Sequence, residues 1–148
     1  EIPKLQVLGP EPLTEDFDAR YLYTRLKASS KEIKPFLLDQ QLVAGIGNIY
    51  ASEILFASGV LPQRSSHSLK KKEVQAIVEN TRRILLSAIE YNGTSVSDFR
   101  QVDEKTGEFQ NFLQVYDKES QPCTRCEVPL QRIVQQQRST FFCIGCQK

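Results

Sequence analysis

Four cysteines constrain the end of this chain more tightly than any other feature. They are the only cysteines among 148 residues, and they fall as Cys123-x2-Cys126 and Cys143-x2-Cys146 with sixteen residues between the pairs. A C-x2-C turn places two thiolates about 2.3 Å from one ion, and two such turns complete the tetrahedron of a zinc site. Four protein ligands leave no open position, so one structural Zn2+ is expected, with no catalytic role. Two disulfides would need an oxidising compartment, and no charged-then-apolar leader opens the chain. A redox dithiol suits one C-x2-C pair and not two. The intervening segment reads as a hairpin, out along 130–134 and back along 139–142. So small a unit buries little apolar surface, and zinc can supply on the order of 10 kcal/mol of folding free energy.

Upstream, the pattern is helical. Leu8-Gly-Pro-Glu-Pro-Leu13 is a turn segment. Thr14 reads as an N-cap for a helix whose apolar face holds Phe17, Tyr21, Leu22 and Leu26. Ser29-Ser-Lys-Glu32 reads as a capping box for a second helix carrying Ile33, Leu37, Leu38 and Leu42. Pro35 is compatible only with its first turn, so it pins that start near Glu32. Ala44-Gly-Ile-Gly-Asn48 gives a tight glycine turn, with Asn48 as N-cap of a third helix that Gly59 closes and Pro62 cannot extend. Ile77, Thr81, Ile84 and Ala88 set a helical period from Ser68 to about Tyr91, ended by Asn92-Gly93. Residues 94–112 have no sustained period and read as loop, and 113–116 as a short strand. The expected fold is mainly α with a small β zinc ribbon, divided into units at 1–112 and 113–148.

No apolar run approaches the roughly 20 residues that cross a membrane. Hydrophobic content of 40% and charged content of 25% suit a soluble globular protein. A net charge of +1 neither demands nor forbids a polyanionic partner. Local basic clusters occur at Lys31 and Lys34, Lys70 to Lys72, Arg82 and Arg83, and Arg125, Arg132 and Arg138; Lys70 to Lys72 read as solvated surface. His67, the only histidine, reads as solvent-exposed.

Three features sit in order: Leu8-Gly-Pro-Glu-Pro-Leu13; Ile33-Lys-Pro-Phe-Leu-Leu-Asp-Gln40 with Ala44-Gly-Ile-Gly-Asn-Ile-Tyr-Ala51; and the four cysteines with Gln137-Arg-Ser-Thr-Phe-Phe-Cys143. Together they closely resemble the bacterial formamidopyrimidine-DNA glycosylases, and more loosely the endonuclease-eight-like enzymes, over essentially the whole chain. The resemblance implies a helix–two-turn–helix domain followed by a zinc finger. In that family these elements grip damaged double-stranded DNA, while an N-terminal β-sandwich domain carries base excision. The target is an oxidised purine, 8-oxoguanine or a formamidopyrimidine, flipped out of the stack because its reacting atoms are unreachable inside it. The family's nucleophile is an N-terminal proline amine, which also leads to strand scission as an AP lyase. Here the first residue is Glu1, Pro3 and Pro10 are internal, and no methionine occurs. The chain is therefore expected to be a processed chain or a fragment without glycosylase activity of its own.

Carried over residue by residue, the resemblance implies DNA contacts at Lys34, Gly47, Asn48, Tyr116, Arg132 and Arg138. It further assigns Arg138 the proton-donor role in δ-elimination. Asn48 after its glycine turn also suits a phosphate on physical grounds, since helix-terminal N–H groups attract anions. The Arg138 guanidinium can fork onto phosphate. Residues 103–112 match the family's loop over the flipped base, but Asp103-Glu104 stands where Asp-Gly is usual. Asp117-Lys-Glu-Ser120 likewise stands where a Gly-rich stretch precedes the first cysteine. Ser29 and Ser30 replace residues that are basic in many members. The family implies a monomer in the bacterial cytoplasm, at the nucleoid, with no membrane partner. Two other readings stay open. One is a non-enzymatic zinc-containing nucleic-acid-binding module; a ribosomal protein shares the glycine-turn helix pair but not the zinc finger. The other is a zinc-ribbon adaptor for proteins.

Overall fold

The computed structural model describes residues 8–92 and 113–148. Glu1, Pro3, the expected loop over 94–112, its match to the lesion loop and the unit boundary at 112 lie outside them. Four helices, α1 (Ala19–Lys27), α2 (Ile33–Leu37), α3 (Asn48–Ser58) and α4 (Lys71–Asn92), precede a two-stranded sheet of β1 (Gln131–Gln135) and β2 (Arg138–Phe142). The fold is thus mainly α with a small zinc ribbon.

Several helix starts differ from the sequence expectation. Thr14 is not the N-cap of α1: its hydroxyl donates to the Glu11 carbonyl in a preceding turn, 2.8 Å away. Asp18 is the cap instead, accepting the Tyr21 N–H at 2.8 Å. An acceptor at N-cap satisfies a donor that the helix leaves unpaired, and Phe17 is buried without being helical. The box over 29–32 does not form either. Glu32 is the N-cap of α2 without a side-chain bond, and the Ser29 hydroxyl accepts the Lys31 N–H. Pro35 does sit in the first turn, but α2 stops at Leu37, and Leu42 reaches the core from a turn.

That turn is built against the 8–11 segment. The Gly9 N–H donates to the Gln40 carbonyl at 2.8 Å and Ala44 N–H to Pro10 at 2.9 Å. A β-carbon on Gly9 would lie 2.3 Å from the Leu42 carbonyl oxygen, so only glycine permits this approach. Gly45 takes φ 98°, and Gly59 closes α3 in the left-handed region at φ 74°, as expected of a C-terminal glycine. The long helix begins at Lys71 rather than Ser68, because Ser66–Ser68 form a separate 3-10 turn. Glu73 then reaches back to the Lys70 N–H at 2.9 Å.

Helix α3 is buried on every side from Asn48 to Phe56, as befits a helix between two layers. Ile54 and Leu55 join the helical core with Leu22, Leu37 and Ile77. Phe56 joins a second core with Val115, Leu130, Phe141, Cys123 and Cys143. Residues 113–116 form no strand. The N–H groups of Gln114, Val115 and Tyr116 bond a side chain of α3 instead.

Strands β1 and β2 pair antiparallel, Gln135 opposite Arg138 and Arg132 opposite Phe141. The hairpin matches the expected one to within a residue. Its two-residue tip, Gln136 (φ 49°) and Gln137 (φ 69°), is left-handed at both positions. That twist matches a tight hairpin, but it normally selects Asn or Gly and costs roughly 1 kcal/mol per residue with a β-carbon.

Candidate metal centre and nucleic-acid interface

The four cysteine sulfurs lie within 4.8 Å of one another. Cys123 and Cys146 sulfurs are 3.8 Å apart and those of Cys126 and Cys143 3.4 Å. Tetrahedral bonds of about 2.3 Å put ligand sulfurs roughly 3.8 Å apart, while a disulfide holds them at about 2.0 Å. The donor set therefore fits one structural zinc. Gly145 completes the second knuckle, since a β-carbon there would stand 2.8 Å from the Cys126 sulfur. Burial raises the Cys123 thiol, but the Arg125 and Cys126 N–H groups and neighbouring thiols bring it down to about 7. Burial, reinforced by the other three sulfurs, pushes Cys146 up to about 12. Four thiolates this close need a cation to coexist.

One rail of α3 carries the zinc unit. Asn48 and Ser52, one turn apart, meet the free edge of β2. The Asn48 Nδ2 donates to the Ser139 carbonyl at 3.0 Å, and the Ser52 hydroxyl accepts the Phe141 N–H at 3.4 Å. Next along the helix, the Glu53 carboxylate accepts the N–H groups of Gln114, Val115 and Tyr116 at 2.8, 2.9 and 2.8 Å. Burial pushes this carboxyl up, and the three donors pull it back. Gln147 fastens the other end: its amide accepts the Cys143 N–H at 2.7 Å and donates to the Val60 carbonyl at 2.8 Å. Glu53, Ser52 and Gln147 escaped the sequence reading, because each acts through a distant backbone group.

Three of the six expected contact residues, Lys34, Asn48 and Arg132, converge on Ser139. Asn48 is not an N-cap; Gly47 is, and Asn48 is the first helical residue. Lys34 has no exposed surface. Its ammonium donates to the Asn48 side-chain oxygen and lies 3.4 Å from the Ser139 carbonyl. It therefore faces this junction and not solvent; a buried ammonium requires such acceptors. Arg132 is exposed and forks onto the Ser139 hydroxyl at 2.8 and 3.1 Å. Tyr116 packs edge-on against Phe141, ring centres 4.9 Å apart, on the hairpin face that Arg132 shares by pairing. Arg138, adjacent to Ser139, is exposed. Arg125 stands apart, over the Phe56 ring at 4.6 Å. His67 and Lys70 to Lys72 are exposed. No helix among the described residues is long and apolar enough to cross a membrane.

Comparison with known proteins agrees with both halves. Residues 8–100 match the formamidopyrimidine-DNA glycosylase H2TH domain, and residues 120–148 match the zinc finger found in FPG and IleRS. The chain is 48% identical over 141 residues to the formamidopyrimidine-DNA glycosylase of Serratia proteamaculans, covering 95% of this chain and 52% of that protein. The MutM (Fpg) crystal structure from Thermus thermophilus superposes with TM-score 0.85 at 42% identity, over 99% of this chain and 56% of that one. Lactococcus lactis Fpg, non-covalently bound to DNA containing an AP site, gives TM-score 0.84 at 39% identity over 96% of this chain and 51% of that one. The chain spans about half the length of the curated relatives it matches. With its H2TH region and four-cysteine zinc finger, the chain belongs to the formamidopyrimidine-DNA glycosylase family.

Proposed function

We propose that these residues grip damaged double-stranded DNA on behalf of a base-excision glycosylase and AP lyase acting on oxidised purines. The observation that carries this reading is the junction at Ser139, where a buried lysine and asparagine from the helical unit lock the zinc hairpin and leave Arg132 and Arg138 exposed beside it. Outward guanidinium groups, that of Arg132 held on the Ser139 hydroxyl, suit phosphate oxygens, which they can engage through paired hydrogen bonds. Solved relatives support the ligand class: they hold DNA with an AP site, carbocyclic 8-oxo-G or FAPY-dG.

In this reading the α3 N-terminus at Gly47 and Asn48 and the side chains of Tyr116, Arg132 and Arg138 face the DNA backbone. Lys34 contributes its charge from beneath and holds Asn48 in place. Arg138 is the residue assigned to donate a proton during δ-elimination. The helical unit, 1–112, and the zinc unit, 113–148, act as one monomeric clamp in the bacterial cytoplasm. Among the described residues gathered here the one amine, Lys34, is buried on Asn48 and Ser139 and presents no nucleophile to a sugar, so the 148 residues alone should leave 8-oxoguanine uncut.

Titrating the chain with a duplex containing an abasic-site analogue tests the reading. Saturable binding that weakens steeply with salt is expected, because phosphate contacts release counterions. Binding that ignores salt, or no binding at low salt, would overturn it.

A further inference from the structure

We propose that Gln136, at the tip of the zinc hairpin, is a DNA-contact residue that donates its side-chain amide to a backbone phosphate seated between Lys31 and Arg138. The inference rests on the DNA-binding reading above. Two independent observations carry it.

The first is backbone conformation. Gln136 and Gln137 both occupy the left-handed region, where a β-carbon is strained and where Asn or Gly is the usual choice in a two-residue turn. Both are exposed. Among the described residues neither side chain makes a hydrogen bond that would offset the strain. Nothing in the fold itself therefore favours glutamine over glycine at this tip, whereas an external ligand would.

The second is placement. A cleft of about 320 Å³ opens between the hairpin tip and α2, and Gln136, Lys31 and Arg138 all line it. Asp39 lines it too, but its carboxylate is engaged by the Lys31 ammonium at 3.3 Å and the Gln41 N–H at 2.9 Å. The polar lining therefore sets two cations, Arg138 and the Asp39-paired Lys31, against that one carboxylate, and adds the amides of Gln135 and Gln136. The Gln135 amide nitrogen is held by Glu32 and the Pro62 carbonyl, which leaves Gln136 as the amide donor open to a ligand. A phosphate is an acceptor-only anion, so it can use both cations and the amide together. Gln137 does not line this cleft and is not included.

Two variants test the assignment. Gln136→Gly removes the side chain and relieves the left-handed strain. Gln136→Asn tolerates the conformation but is one methylene shorter. Each is compared with the parent chain for melting temperature and for affinity to an abasic-analogue duplex across a salt series. Expected is a melting temperature equal to or above the parent's in both, with affinity about three- to tenfold weaker and an unchanged salt slope, since a neutral donor displaces no counterion. Arg138→Ala in the same series should weaken binding and reduce the slope. If Arg138→Ala behaves so while both Gln136 variants bind like the parent, this assignment fails and the DNA-binding reading stands. If the parent binds no duplex, both fail.

Discussion

The Asn48 side-chain amide donates to the Ser139 carbonyl across 3.0 Å, so the first turn of a helix and the returning strand of a zinc hairpin share one hydrogen bond. The same asparagine accepts from the buried Lys34 ammonium. Asn48→Ala removes both interactions in a buried site. A loss of about 2–3 kcal/mol in urea unfolding is expected from the desolvated groups left behind. Asn48→Asp keeps an acceptor for Lys34 but loses the donor, so it should fall between Asn48→Ala and the parent.

Glu53 closes three backbone donors at once. Glu53→Ala leaves the Gln114, Val115 and Tyr116 N–H groups without this acceptor, at roughly 1–3 kcal/mol for each that stays buried. Chemical denaturation should show a loss of about 3 kcal/mol or more. Glu53→Gln should recover part of it, because one side-chain oxygen remains to accept.

Two hydrophobic clusters are present, one helical and one that sets Phe56 of α3 against Val115, Leu130, Phe141, Cys123 and Cys143, so metal removal should affect them unequally. Metal analysis should give one zinc per chain. Stripping it with a chelator should abolish DNA binding and expose the hairpin amides to hydrogen exchange, while most helical circular dichroism persists. Cys126→Ser should behave similarly.

Arg64 holds Glu73 through two bonds of 2.9 Å. This bond to Arg64, ahead of an opposing burial effect, lowers the Glu73 carboxyl below its usual 4.5. A carboxyl lowered in the folded state stabilises it fully above the unfolded value and loses that contribution as pH falls through the folded one. The Glu73 contribution should therefore hold above about pH 5 and fade below 4.5. Both side chains are partly exposed, so the effect should stay within about 1 kcal/mol. Glu73→Gln should flatten the acid limb of the melting-temperature profile by that amount and leave neutral pH affected only through the lost ion pair.

Local chemistry was legible in the sequence and long-range backbone satisfaction was not. The cysteine spacing, Pro35 in a first turn, Gly59 after α3 and the hairpin strands depend on nearby residues, and the structure holds all four. Thr14 and Asp18 are both good caps, and only the burial of Phe17 outside the helix favours the second. Asn48 reads as an N-cap because asparagine commonly is one, but its amide is directed to a strand 91 positions away. Residues 113–116 read as a short strand, yet Glu53 supplies the acceptor for the N–H groups of Gln114, Val115 and Tyr116. In each case the deciding partner lies too far along the chain for periodicity or propensity to register it.

The clamp itself is tested most directly by the salt dependence of duplex affinity for the parent chain and Arg138→Ala. For the parent, the logarithm of the binding constant should fall linearly with the logarithm of salt concentration, with a slope set by several phosphate contacts at about 0.9 each. Arg138→Ala should bind more weakly at every salt concentration and lose about one unit of slope. Equal affinity and equal slope in the two proteins would contradict the account, because Arg138 would then be an ordinary surface arginine.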